Sequence, residues 1–167
     1  MTGTETSRAA DPALDRDAVA FYDALSDLIR IYQFRDRDRI CCQDVSVTQY
    51  YALESVARHG PLTLNELASL LYLDKSTVSR VANAIERKKL LRRRPHEDDR
   101  RAVLLDLTEP GRLLYESIRD DIEEREKRLI ADFDPDVRAA MIELIGRLAQ
   151  AAKERVSTTG GTCCSLD

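Results

Sequence analysis

A mainly α-helical fold with one β-hairpin is what this sequence predicts, and three observations predict it. Apolar residues recur at steps of three and four through most of the chain. Capping residues stand at the head of nearly every periodic stretch. One segment, about residues 90–107, breaks instead into two short alternating runs around a polar tip. The length of 167 residues fits one domain, or one domain plus an appended dimerisation element, and a 43% hydrophobic content is enough for a core.

Residues 1–10 are rich in Thr, Ser, Gly and Ala and are expected to be disordered. Asp11-Pro12 supplies an N-cap and a proline at the first helical position. Leu14, Ala18, Tyr22, Leu25, Leu28, Ile29 and Tyr32 then form an apolar stripe, giving a first helix that ends near Arg39. Ser46 and Gln49 have the spacing of a capping box and open a second helix, which Gly60-Pro61 stops. Thr63 and Glu66 form another box, with Leu64, Leu67, Ala68 and Leu71 behind it. Asp74 caps a helix from Lys75 to about Lys88. Leu90–Pro95 and Ala102–Leu107 read as the two hairpin strands, with Val103 and Leu105 on one side and Leu104 and Asp106 on the other. Thr108 heads a long helix carrying Leu114, Ile118, Ile122 and Leu129. Asp134-Pro135 heads the last, with Val137, Met141, Leu144, Ile145 and Leu148. Residues 156–167 lack periodicity and read as a flexible, Cys-containing tail.

Composition removes several function classes. Aromatic residues are 5% and Trp is absent, against a carbohydrate groove or a stacking platform for single strands. No apolar run reaches the roughly 18 residues of a membrane span, so no membrane partner is expected. Residues 1–17 hold no apolar segment of the signal-peptide kind, and a cytoplasmic location is expected. The chain shows no P-loop, Rossmann glycine pattern or H-E-x-x-H, and it is not expected to be an enzyme or to require a cofactor. His59 reads as a helix-end residue and His96 as part of the hairpin tip.

Charge is distributed unevenly. Residues 75–101 hold ten Lys and Arg against four acids, a net +6 within a chain of net −4. A compact basic stretch on an acidic body is the footprint of a phosphate-binding element. On a helical wheel of residues 75–88, Val78, Val81, Ala82 and Ile85 fall on one side. Ser76, Ser79, Arg80, Asn83 and Arg87 fall on the other, a set of hydroxyl, amide and guanidinium groups suited to base edges and phosphates. Each feature alone has a bland reading, a solvated face or a charged turn. A capped short helix, a polar-faced helix and a basic hairpin in that order make a winged helix-turn-helix.

Two segments resemble a known family. Leu73-Asp-Lys-Ser-Thr-Val-Ser-Arg-Val-Ala-Asn-Ala-Ile-Glu-Arg-Lys-Lys-Leu-Leu-Arg-Arg93 resembles the recognition helix and first wing strand of MarR-type regulators. Asp99-Arg-Arg-Ala-Val-Leu-Leu-Asp-Leu-Thr-Glu-Pro-Gly111 resembles that family's wing motif. The glycine that usually closes the recognition helix is Lys89 in this chain. The resemblance spans roughly residues 14–155. It implies a homodimeric DNA-binding repressor that a small effector releases from a pseudo-palindromic operator on double-stranded DNA. The expected DNA-binding residues are Lys75, Ser76, Thr77, Ser79, Arg80 and Asn83, with Arg100 and Arg101 from the wing and Asp99 shaping it. The expected organisation is a winged-helix DNA-binding domain at 46–107 and a helical dimerisation region at 11–45 and 108–155. Leu14, Tyr22, Val137, Met141 and Leu148 are expected at the dimer interface.

The four cysteines form two adjacent pairs, Cys41-Cys42 after the first helix and Cys163-Cys164 in the tail. This is not the spacing of a redox helix or a zinc ribbon. Arg37 and Arg39 lie close in sequence, and Arg39 favours a reactive thiolate. Thiolates select soft ions, and a three-thiolate pyramid suits trivalent arsenic better than tetrahedral zinc. The seven residues before Cys163 span roughly 15 Å as a random coil, which gives a tail thiol reach. The chain also resembles a branch of MarR-type regulators that answers arsenite through a Cys pair after the first helix and a Cys near the C-terminus. Arsenite held by Cys41, Cys42 and Cys163 or Cys164 is therefore the expected effector, with oxidation of the same thiols by peroxide or electrophiles as the alternative.

Overall fold

The computed structural model describes residues 11–96 and 102–158, and excludes the side chains of 35–39, 41, 42 and 156–158. Among the described residues six helices and three strands follow one another: α1 (Pro12–Cys42), α2 (Val47–His59), β1 (Leu62–Thr63), α3 (Leu64–Leu71), α4 (Lys75–Arg87), β2 (Leu91–Pro95), β3 (Val103–Leu107), α5 (Glu109–Ile130) and α6 (Pro135–Thr158). The chain divides into two compact units, Met1–Asp120 and Asp121–Asp167. No described helix is long and apolar enough to cross a membrane.

The helix starts follow the local chemistry. The Ala13 N–H donates to Asp11 Oδ1 at 3.0 Å, and Pro12 takes the first helical position. At α2 the Gln49 N–H donates to Ser46 Oγ while the Ser46 N–H donates to Gln49 Oε1, so the box is reciprocal. Thr63 and Glu66 do the same at α3, and the Thr63 N–H followed by the Thr63 hydroxyl holds the Glu66 carboxyl below its usual range. Gly60, at φ 82°, ends α2. At each of the three helix starts a side chain satisfies N–H groups that the first helical turn leaves without a carbonyl.

Three features differ from the sequence reading, the simplest being that α6 runs to Thr158, three residues into the segment 156–167 that reads as a flexible tail. The first helix continues to Cys42 rather than stopping near Arg39, so Cys41 and Cys42 form its last residues instead of following it. The polar run before Cys41 interrupts the apolar stripe, but Ile40 is buried and gives the last turn an anchor. Leu62–Thr63 is a strand as well as the approach to α3. It pairs antiparallel with β3, giving a three-stranded sheet of order β1-β3-β2 in place of a bare hairpin.

The core sits in the first unit. Ala52, Leu53 and Val56 of α2, Leu67 of α3, Val78, Ala82 and Ile85 of α4, and Leu91, Leu105 and Leu107 of the sheet form one buried cluster. Val78, Ala82 and Ile85 are the apolar side of the wheel, so burying them fixes which face α4 turns outward. Leu104 and Leu105 are adjacent and both buried, as a central strand covered on both faces requires.

Candidate nucleic-acid interface

α4 begins in a network built on Asp74. Its Oδ1 accepts the Thr77 N–H at 2.9 Å and the Ser76 hydroxyl, and its Oδ2 accepts the Thr77 hydroxyl at 2.7 Å. These donors, the Ser76 hydroxyl foremost, hold the Asp74 carboxyl well below the usual carboxylate range. The stabilisation from this cap is present above the ordinary carboxylate range and is lost as pH falls through the depressed value. Arg80, one turn further on, donates from Nη2 to Thr77 Oγ1 at 3.0 Å. Asp74, Thr77 and Arg80 are three residues apart in turn, a legible helical signal that the sequence reading did not use.

Lys75, Ser76, Arg80 and Asn83 are exposed on the outward face of α4, and Thr77 and Ser79 are half-buried beside them. Asn83 does not stand alone. Its Oδ1 accepts from Arg93 Nη2 of β2, and Arg93 Nε donates to Glu86 at 3.0 Å. This cross-element pair ties the wing strand to the outward face of α4. Arg92 pairs with Asp106 of β3 at 2.8 Å, and Arg94 lies 3.9 Å from the same carboxylate. Asp99, Arg100 and Arg101 lie outside the described residues. The His96 N–H donates to the Ala102 carbonyl at 3.1 Å, below that tip.

The far end of α4 closes in a Schellman motif. The Leu90 N–H reaches the Ile85 carbonyl at 3.2 Å, and the Lys89 N–H reaches Glu86 at 2.8 Å. Lys89 takes the left-handed conformation, φ 61°, that the missing glycine normally supplies. Thr108 secures this turn to the next helix. Its hydroxyl donates to the Lys89 carbonyl at 2.7 Å and accepts from the Gly111 N–H at 3.1 Å. Gly111 presses so closely on the Leu90 carbonyl that a Cβ would overlap it. The glycine of the wing motif is thus a close-packing residue.

Lys88, the C-cap of α4, reaches back to the chain just beyond α1. Its Nζ donates to the Asp44 carbonyl and lies 3.3 Å from the Asp44 carboxylate. Asp44 has a φ of 58° and sits between the buried Ile40 and Val45. The side chains of Cys41 and Cys42, and all of Cys163 and Cys164, lie outside the described residues. Among the described residues no group of three or more His, Cys, Asp or Glu is arranged to hold a metal ion. A groove of about 420 Å³ between α2 and α3 is lined by Tyr51, Glu54, Arg58, His59 and Tyr72 among others.

A buried-backed helix with a polar outward face, preceded by a short capped helix and followed by a sheet hairpin, defines a winged helix-turn-helix protein. Within that class the fold is that of MarR winged-helix proteins, and residues 43–102 match the MarR family model. A MarR family protein of Bacillus stearothermophilus superposes with a TM-score of 0.76 at 21% identity, over 83% of this chain and 96% of that one. FabT of Streptococcus pneumoniae, solved in complex with DNA, superposes with a TM-score of 0.74 at 20% identity, over 82% of this chain and 98% of that one. In sequence, the organic hydroperoxide resistance transcriptional regulator of Bacillus subtilis is 36% identical over 77 residues. That match covers 46% of this chain and about half, 52%, of the relative.

Proposed function

We propose that the protein is a homodimeric, cytoplasmic MarR-type repressor that binds a pseudo-palindromic operator on double-stranded DNA. The observation that carries this reading is the outward face of α4, with Lys75, Ser76, Arg80 and Asn83 exposed while its apolar face is buried. Such a face offers donors and acceptors to the major groove, and a wing follows it in the chain, as in winged helices that bind DNA. The fold shared with a protein solved on DNA supports the same reading. A dimer is supported by the helices outside the core. Leu14 and Tyr22 of α1 are 59% and 69% exposed in the single chain, as are Val137 and Leu148 of α6 at 44% and 37%, with Met141 half-buried. Partner burial is the usual fate of so much exposed apolar side chain.

The effector in this reading is trivalent arsenic, held by Cys41, Cys42 and a tail cysteine, Cys163 or Cys164. Arsenous acid exchanges its three hydroxyls for three thiolates, and three waters leave with the thiol protons. The support is the soft donor set and its position. Cys42 ends α1 two residues before Asp44, whose backbone and side chain hold Lys88 at the end of α4. Strain imposed on the cysteine pair therefore bears directly on the recognition helix, as a ligand that favours one of two states requires. The relative named for organic hydroperoxide resistance favours a second reading, in which the same thiols are oxidised.

Retardation of genomic DNA fragments tests both parts. The protein is expected to shift a discrete set of fragments, and arsenite with excess reductant is expected to release them. The Cys41→Ser/Cys42→Ser protein should stay bound under arsenite. Equal release of that variant removes the pair as the sensor. Release by peroxide without reductant, and none by arsenite, selects the oxidative reading.

A further inference from the structure

We infer that Thr77 is a positioning residue for Arg80, setting the base-pair position at which that arginine reads sequence. The inference rests on the DNA-binding reading and specifies how its helix discriminates. A threonine hydroxyl has one proton and two acceptor lone pairs. The Thr77 proton lies on Asp74 Oδ2, at 2.7 Å, so towards Arg80 the oxygen acts as an acceptor. Arg80 Nη2 takes that role at 3.0 Å. The three groups form a chain with one polarity: guanidinium donates to hydroxyl, and hydroxyl donates to carboxylate.

This arrangement has two effects. An exposed arginine on a helix samples many rotamers, and a hydrogen bond to the preceding turn selects among them. The guanidinium keeps its other donors in a planar fork, the shape that matches O6 and N7 of guanine. Asp74 strengthens the chain because a carboxylate acceptor polarises the hydroxyl and makes its oxygen a better acceptor. The same geometry reassigns Thr77. With its proton turned inward and one lone pair on Arg80, it has little left for a base edge, and Ser76 likewise turns its proton to Asp74. The carboxyl is held ionised by these donors, so the chain does not depend on neutral pH.

The test uses the full-length protein and duplexes that the wild type selects from a random-sequence pool. Arg80→Ala first marks the base pair at which discrimination is lost. Thr77→Val, equal in shape but without the hydroxyl, is expected to lose discrimination at that same pair, on the order of ten-fold. Its affinity for unselected DNA and its salt dependence should stay as in the wild type. Thr77→Ser keeps the hydroxyl and should keep discrimination. Adding Thr77→Val to Arg80→Ala should cost nothing further, since the two act as one unit. Wild-type selectivity in Thr77→Val, loss at a different base pair, or additive losses in the double variant each overturn the inference while leaving the DNA-binding reading intact. A wild-type protein that selects no sequence overturns both.

Discussion

The winged-helix part of the first unit and the helices of the second unit are built to opposite rules. Around α4, apolar side chains from three helices and the sheet bury one another, and Leu53, Leu67, Val78 and Ile85 have almost no exposure. In the second unit no residue of the described 121–155 is buried, although α6 carries Val137, Ile142, Leu144, Ile145 and Leu148. α1 behaves like the second unit over residues 12–34, where nothing is buried, and like the first unit at Ile40. The first arrangement is complete within one chain. The second leaves its apolar stripes exposed within one chain, and in the dimer proposed above a partner surface would cover them.

The comparison can be broken most sharply at α6. Replacing Ile145 and Leu148 together by Glu is expected to convert a dimer to a monomer in sedimentation, with a loss of about 4 kcal/mol in association. Helix content in the first unit should survive. A dimer of unchanged affinity would mean that α6 is not part of the covered surface. Within the closed region, Gly111→Ala should cost about 3 kcal/mol or more, because the new methyl meets backbone at Leu90 rather than a side chain that can turn away. Denaturant unfolding checks it, and a near-neutral result would show that α5 can slide from the wing. A smaller effect of opposite sign is expected at Lys89. Lys89→Gly relieves a left-handed residue and should stabilise the first unit by about 1 kcal/mol in the same measurement.

What was legible in the sequence follows the same division between local and distant. Ser46 with Gln49 and Thr63 with Glu66 are three residues apart, so the chemistry that starts α2 and α3 is written within one turn. The polar face of α4 was equally readable, because a helical period fixes it once Val78, Ala82 and Ile85 must be buried. β1 was not, since two residues carry no period and Leu62 is a strand only because Leu105 lies opposite. The contacts that join the interface to its surroundings were hidden for the same reason. Asn83 meets Arg93 ten positions away, and Lys88 meets Asp44 across forty-four. Such pairs depend on where the folded chain brings each end, which no residue type announces.

The arginines of β2 carry a last consequence. By composition Arg92, Arg93 and Arg94 are three of the ten cations between residues 75 and 101. In the folded chain each faces a carboxylate of its own protein, Asp106 or Glu86. DNA is a polyelectrolyte sheathed in condensed sodium or potassium, and a protein cation frees one of these ions only by replacing it at a phosphate. An arginine that stays with its carboxylate frees none. In the DNA-binding reading proposed above, each that does so would make the logarithmic dependence of operator affinity on salt shallower by about 0.9, less steep than the basic stretch alone suggests.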